Sequence, residues 1–218
     1  MIADKRTYIS DIIEELRLQW PDNHLVNFVC HGHSVPAGYH SWTVEPFKSY
    51  PHLFHVGLKE RFIFAVTNVI VTAIGGEESD RGAARFDAEI LSHNPHVMTI
   101  DYGLNDRRIG LEKAEASWRS MIEKTLKSHI KLILLTPTHD NTQLAGPAYQ
   151  WESLCQHAEQ IRRLANEYEV GLVDSFALFE NYVNSGGDLS DLLSWPNHPN
   201  RKGHEIVADE LLRWFPIG

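Results

Sequence analysis

Five short runs of apolar residues recur along the chain, and amphipathic stretches separate them. Within each run the apolar residues are nearly continuous, which is typical of strands that are covered on both faces of a parallel sheet. The runs occupy residues 25–30, 67–74, 96–101, 131–136 and 170–174. Helical patterns are clearest at residues 111–129, 150–169 and 203–214.

Strands that alternate with helices predict right-handed crossovers and an open, doubly wound parallel α/β sheet. A chain of 218 residues can bury roughly 70% of the surface that its unfolded form exposes. No internal repeat, low-complexity tract or change of composition marks a second unit. We therefore expect one α/β domain over residues 1–218.

Charge and cysteine content exclude several classes of protein. The net charge is −9, from 29 acidic against 20 basic residues, and no basic cluster indicates a nucleic-acid or anionic membrane surface. The two cysteines, Cys30 and Cys155, have no metal-binding or redox spacing. The N-terminus lacks the apolar run of a signal peptide, and no segment has the roughly 20 apolar residues that span a bilayer. A cytoplasmic protein with small, neutral or weakly polar ligands is expected.

Ligands of doubly wound sheets bind beyond the carboxyl ends of the strands. Polar and glycine-rich residues concentrate in the loops there, including Ser34, Asn105 and, in a later loop, His198. Taken alone, such a serine is most often a helix cap and such an asparagine a turn residue. The order and spacing of all these residues are more informative than any one of them.

Four segments combine these residues in chain order: Gly32-His33-Ser34 with Gly38, Ala73-Ile74-Gly75-Gly76-Glu77, Gly103-Leu104-Asn105-Asp106, and His198-Pro199-Asn200 with Gly203-His204. Together they resemble the conserved blocks of the SGNH (GDSL-like) hydrolase superfamily and span nearly the whole chain. The third and fourth segments are fairly specific matches, and the first two are looser.

The resemblance implies a flavodoxin-like, three-layer α/β/α fold with a five-stranded parallel sheet and helices on both faces. It also implies a serine esterase that needs no metal or cofactor, with Ser34 as nucleophile and His198 as general base. The backbone amides of Ser34 and Gly76 and the side-chain amide of Asn105 would be the oxyanion donors. This agrees with elementary chemistry, because a serine hydroxyl is a weak nucleophile until an imidazole takes its proton.

The chain departs from the superfamily pattern at two positions. His33 replaces the usual aspartate before the nucleophile, and we expect this to change packing beneath the loop rather than the chemistry. Trp195 replaces the aspartate that usually orients the catalytic histidine. The groups that could replace it are Asp188, Asp191 and a main-chain carbonyl between Ser194 and Pro196. We predict the carbonyl, because a loop that brings a side chain to the imidazole also brings its backbone there.

Two other functions are compatible with the sequence. His31 and His33 form an HxH pair that suits a metal-dependent hydrolase, although no matching set of ligands follows downstream. A carbohydrate-binding module without catalysis is the other alternative. The favoured hypothesis is a serine esterase acting on short-chain acyl esters, above all O-acetyl esters of carbohydrates. Residues available to stack on a sugar are Tyr39, Trp42 and Trp195. Oligomeric state is left open.

Overall fold

The computed structural model describes residues 1–195 and 197–217. Its strands are β1 (Leu25–Gly32), β2 (Tyr39–His40), β3 (Thr43–Val44), β4 (Val66–Val71), β5 (Val97–Asp101), β6 (Lys131–Leu135), β7 (Gly171–Val173), β8 (Leu193–Trp195) and β9 (His198–Pro199). Five of them form a parallel sheet in the order β4-β1-β5-β6-β7. The pairs β2-β3 and β8-β9 are short antiparallel ribbons.

The α-helices are α1 (Ser10–Arg17), α2 (Ser34–Ala37), α3 (Tyr50–Arg61), α4 (Ser79–Ala84), α5 (Leu111–Lys127), α6 (Thr142–Ala145), α7 (Ala148–Glu167), α8 (Ser175–Asn184) and α9 (Arg201–Leu212). Short 3₁₀ turns lie at Pro46–Lys48, Leu91–His93, Asp106–Arg108 and Leu189–Leu192, and a π turn lies at Phe86–Ile90. No helix in the described part of the chain is both long and apolar enough to cross a membrane.

Apolar side chains pack into two clusters that include residues from the sheet. One cluster contains buried residues of α1, α3, α8 and α9, and the other contains those of α5, including the fully buried Trp118. Helix α7 contributes to both clusters. The predicted three-layer α/β/α fold with a five-stranded parallel sheet is therefore confirmed.

The order in which strands are added to the sheet reverses at β1. Strand β4 pairs with one side of β1, and the next strand, β5, pairs with the other side. This is the topological switch point at which open α/β sheets bind ligands. The strands approach closely at its carboxyl end, where a Cβ atom on Gly32 would lie 2.4 Å from the carbonyl oxygen of Asp101. A glycine is required there.

Two features of the fold differ from the sequence-based expectation. Helices α3 and α8 were not predicted. In both segments apolar residues occur at consecutive positions rather than only at helical spacing. The period of such a short apolar segment cannot be recognised. Strand β4 was expected to be covered on both faces, but it is the edge strand, and Val66 is 46% exposed. An apolar run therefore marks the strand without revealing its place in the sheet.

Candidate active site

Ser34 lies just beyond the end of β1, at the first position of α2. The side chain before it caps this short helix, because Nδ1 of His33 accepts a hydrogen bond from the amide of Val35 at 3.3 Å. Ser34 is only 4% exposed. The cap and the close approach of Gly32 to Asp101 hold the hydroxyl at the switch point of the sheet.

His198 meets Ser34 although the two residues are 164 positions apart. Its Nε2 lies 2.9 Å from Oγ of Ser34. His198 begins β9, which pairs with β8, and Asn200 caps the following helix by accepting from the amide of Gly203 at 3.1 Å. The Asn200 amide also donates to the carbonyl of Asp191 at 2.8 Å. Residues flanking the histidine thus anchor it to the ribbon and to α9.

The loops after β4 and β5 carry the predicted oxyanion donors. The side-chain amide of Asn105 donates to the carbonyl of Glu77 at 3.0 Å, which joins the two loops and leaves its second hydrogen available. Gly76 has a positive φ of 75°, a conformation that favours glycine. Arg108 donates to its carbonyl at 2.6 Å. Among the described residues, neither the amide of Gly76 nor that of Ser34 donates to the carbonyl of another loop.

A chain of hydrogen bonds that begins at Glu77, the residue after Gly76, stabilises the Gly76 turn. Tyr102 donates to Oε2 of Glu77 at 2.7 Å, and Arg85 pairs with the same carboxylate at 2.7 Å. Nε2 of His31 lies 3.1 Å from the Tyr102 oxygen, and its Nδ1 lies 3.1 Å from the hydroxyl of Thr72. Because Tyr102 gives its proton to Glu77, His31 donates to Tyr102 and accepts from Thr72. Burial and the nearby Arg85 lower the pKa of His31 to about 3, which keeps the ring neutral.

Asp106 stabilises the loop after β5 and makes no hydrogen bond to Ser34. Its carboxylate accepts from the amide of Ser79 at 2.8 Å and from the indole of Trp118 at 2.7 Å. Burial raises its pKa to about 6, against the effect of these two donors. The residue therefore ties the loop after β5 to α4 and α5.

Neither aspartate proposed to orient His198 contacts it. Asp188 accepts from the amide of Ser190 at 2.8 Å, and Asp191 accepts from the hydroxyl of Tyr182 at 2.8 Å.

The carbonyls of Ser194 and Trp195, two of the three predicted to orient His198, make no hydrogen bond to it. Within residues 1–195 and 197–217, Nδ1 of His198 has no hydrogen-bond partner. This range includes the carbonyls of Ser194, which accepts from Ser41, and Trp195. The third position, Pro196, lies outside the described residues, so the prediction stands untested there.

The environment of His198 disfavours a positive charge. Burial is the largest cause, and the neighbouring His33 and His40 add to it, so the pKa of His198 falls to about 4. The ring of Tyr39 stacks on the imidazole with centroids 6.0 Å apart. His198 is therefore neutral at physiological pH, and its Nε2 is the ring nitrogen that lies next to Oγ of Ser34.

The structure does not assemble the alternative metal site at His31 and His33. Both ring nitrogens of His31 already have protein partners. Over residues 1–195 and 197–217, no three histidine, cysteine, aspartate or glutamate side chains come together in a way that would hold a metal ion.

A small polar cavity opens beside Asn105. Its volume is about 340 Å³, and it is lined by Leu104, Asn105, Arg107, Arg108, Tyr149, Gln150, Ser153 and Asn197. This is near the lower end of the range for ligand pockets. Two exposed indoles, Trp42 and Trp195, lie in edge-to-face contact with centroids 4.8 Å apart. Tyr39 instead packs against the site itself.

Sequence reasoning missed several residues that shape the site. The buried Asp101 and Tyr102, and Arg85, whose side chain is 13% exposed, were not singled out. Tyr102 and Asp101 directly precede the Gly103-Leu104-Asn105-Asp106 segment, so their position at the end of β5 was the available signal. Arg85 lies between α4 and the π turn at Phe86–Ile90, where a charged residue that contacts the site is indistinguishable in sequence from a solvent-facing one.

Comparison with known proteins gives a family and a fold. The family model of GDSL-like lipases and acylhydrolases matches residues 30–206. Thioesterase 1/protease 1/lysophospholipase L1 of Escherichia coli (strain K12) is 25% identical over 146 residues, which are 66% of this chain and 64% of that protein. The match thus spans less than two thirds of the length of the curated relative.

Two solved structures share the fold at low sequence identity. An acetylxylan esterase from Geobacillus stearothermophilus has a TM-score of 0.75 and 21% identity, with 88% of this chain and 95% of that chain covered. A two-domain esterase active on acetylated mannans has a TM-score of 0.78 and 20% identity, with 95% of this chain and 52% of that chain covered.

Titration of the imidazole tests the electrostatics of the site. In nuclear magnetic resonance spectra of the histidine rings, we expect the His198 signal to titrate near pH 4, because burial and two neighbouring histidines disfavour the cation. A His198→Asn variant identifies the signal, and the amide spectrum at each pH checks that the chain remains folded. A midpoint near the ordinary value of about 6.5 would contradict this account.

Proposed function

Because the chain belongs to the family of GDSL-like lipases and acylhydrolases, we propose that it hydrolyses short-chain carboxylic esters through an acyl-enzyme on Ser34. The family supplies the reaction class. The contact of 2.9 Å between Oγ of Ser34 and Nε2 of His198 carries the assignment of roles. A nucleophile within hydrogen-bond reach of a neutral imidazole is the arrangement that serine acyl transfer requires.

In the proposed mechanism, Oγ of Ser34 attacks the carbonyl carbon of the ester while His198 takes the hydroxyl proton. The tetrahedral intermediate collapses, the alcohol leaves with that proton, and the acyl group stays on the serine. A water molecule then attacks the acyl-enzyme, His198 takes its proton, and the proton returns to Oγ as the carboxylic acid leaves. Histidine acts as base and then as acid in each half of the cycle.

The negative charge on the carbonyl oxygen needs donors that are already in place. The amides of Ser34 and Gly76 and the free hydrogen of Asn105 are our candidates. The buried Glu77 and its partners hold the Gly76 turn in position. Donors fixed in this way stabilise the transition state without reorganising during the reaction.

The substrate class that we favour is a short acyl ester of a carbohydrate, an acetyl ester above all. The polar cavity beside Asn105, of about 340 Å³, is small and offers hydrogen-bonding side chains suited to sugar hydroxyls. Tyr149 at its rim is 66% exposed and available for stacking. Both similar solved esterases are described as acting on acetylated polysaccharides. A site for long acyl chains would instead be lined mainly by apolar side chains.

Removal of the nucleophile tests the core of the proposal. We expect Ser34→Ala to lower kcat for 4-nitrophenyl acetate by several orders of magnitude while the circular dichroism spectrum and melting temperature stay near wild type, because the covalent route is closed. Ser175→Ala, at a similarly buried serine that begins α8, is the control and should retain activity. An active Ser34→Ala variant would refute the assignment. Loss of wild-type activity in a chelator would favour the metal alternative.

Asn105→Ala tests the oxyanion assignment. We expect kcat to fall by roughly 10²- to 10³-fold with KM little changed, because the amide bonds the oxygen most strongly as charge develops. Asn68→Ala, whose side chain bonds Asn27 at the sheet edge, is the matched control. A higher KM with unchanged kcat would make Asn105 a ground-state binding residue instead.

A substrate panel tests the proposed class. We expect kcat/KM to be highest for acetyl esters and to decline for butyryl and octanoyl esters, and acetylated xylo-oligosaccharides to be hydrolysed. Tyr149→Ala should raise KM for the oligosaccharide but not for 4-nitrophenyl acetate, which has no sugar to stack. Preference for octanoyl esters would contradict the small polar site, and binding of sugars without turnover would favour the binding-module alternative.

A further inference from the structure

The residue before the nucleophile lies between Ser34 and a buried carboxylate. Nδ1 of His33 is 3.3 Å from Oγ of Ser34, and its Nε2 is 3.4 Å from Oδ1 of Asp101. The side chains of His33 and Asp101 are only 1% and 5% exposed. The sequence had indicated that His33 affects packing alone, but this placement puts its ring in contact with the reacting atom.

The helix cap shows which nitrogen of His33 carries the proton. The amide of Val35 donates to Nδ1 at 3.3 Å, so Nδ1 must offer its lone pair. In a neutral imidazole the hydrogen then lies on Nε2, which is 3.4 Å from Oδ1 of Asp101 but is not aligned for a hydrogen bond to it. The three side chains therefore lie in the order of hydroxyl, imidazole and carboxylate that an activated nucleophile uses.

We propose that His33 is a second proton acceptor for Ser34 and that Asp101 is the positioning residue that orients its ring. The proposal rests on the proposed function, since it needs Ser34 to be the nucleophile. The superfamily pattern has an aspartate next to the catalytic histidine, and this chain has Trp195 at that position. Under the proposal Asp101 supplies a carboxylate instead, and it acts through His33.

The proton balance of the step is simple. As Oγ forms its bond to the acyl carbon, the hydroxyl proton moves to Nδ1 of His33, and the resulting imidazolium faces the Asp101 carboxylate through Nε2–H. The proton then passes to the oxygen of the leaving alcohol, whose bond to the acyl carbon breaks. In the second half, a water oxygen bonds to the acyl carbon and gives a proton to His33, and His33 returns the proton to Oγ as the bond between Oγ and the acyl carbon breaks and the carboxylic acid leaves.

The two histidines do not contribute equally. His198 lies 2.9 Å from Oγ and His33 lies 3.3 Å from it, and the serine has one proton to give. Val35 also competes for Nδ1 of His33. The distances to Ser34 and Asp101 exceed the best range of about 2.6–3.2 Å, but such contacts tighten when substrate binds. His198 is therefore the main acceptor, and the role of His33 becomes measurable when His198 is removed.

The test compares variants in a chain that lacks the main acceptor. We expect His198→Ala to retain kcat/KM for 4-nitrophenyl acetate at about 10² times the level of Ser34→Ala, since a general base contributes about 10²–10⁴-fold. Adding His33→Asn should lower the rate to the Ser34→Ala level. Asparagine is suited to this test because its oxygen can still cap the amide of Val35 but cannot take a proton.

The Asp101→Asn substitution distinguishes a positioning role for Asp101 from a purely structural one. In the His198→Ala background, Asp101→Asn should lower kcat by about tenfold or more with KM unchanged, because general-base catalysis weakens when the ring is no longer oriented. In the chain that carries both His198→Ala and His33→Asn, the Asp101→Asn substitution should have no further effect on kcat. The effects of substitutions at residues that act as a unit are not additive. Melting temperatures of all variants show whether each one is folded.

Three results would overturn the proposal. The first is a folded His198→Ala variant no more active than Ser34→Ala. The second is residual activity that His33→Asn leaves unchanged. The third is an equal effect of Asp101→Asn with and without His33. Failure of the proposed function itself looks different, because Ser34→Ala would then remain active, and the rate of labelling of Ser34 by a fluorophosphonate would not track activity.

Discussion

Strand β1 lies between β4 and β5 and is hydrogen-bonded to both, and the candidate site depends on this central position. Parallel strands end at a common edge, so the loops that follow these three strands converge. The close approach of Gly32 to Asp101 brings the start of α2 against the end of β5. The proposed nucleophile, the proposed oxyanion donors and the buried Asp101 come together for this one reason.

The convergence has an electrostatic consequence, because it buries charged groups. Glu77 is 3% exposed and pairs with Arg85, and Tyr102 donates to the same carboxylate. A buried ion pair adds little net stability, yet removing one partner of such a pair costs about 3–5 kcal/mol. The pair therefore resists rearrangement, and it fixes the turn at Gly76 in one conformation. A rigid turn is what an oxyanion site requires.

The same burial sets the chemistry of the histidines. His198 has a lowered pKa and no carboxylate partner among the residues that the structure describes. It stays neutral, but its cation is poorly stabilised, which would weaken it in its proposed role as a base. His33 has the opposite arrangement, with a longer contact to Ser34 and a carboxylate behind it. If both histidines accept the Ser34 proton as proposed, each one compensates for a deficiency of the other, which gives a physical rationale for a histidine at position 33.

Sequence periodicity and loop motifs determined much of this description. The five strands of the sheet were predicted to within three residues at each end, because buried parallel strands need continuous apolar runs. The four glycine- and polar-rich segments also identified Ser34, Asn105 and His198 as candidate site residues, since ligand sites of this fold class follow the strands.

Other features were decided only by the tertiary structure. The exposed edge at β4, the ion pair of Arg85 with Glu77 and the position of Asp101 beside His33 depend on how the strands and loops are arranged. The contact between Ser34 and His198 joins residues 164 positions apart. The state of each histidine likewise depends on which groups surround it in space. Local periodicity reports whether a residue is in a helix or strand, whereas a hydrogen bond between distant loops is set by how those elements pack.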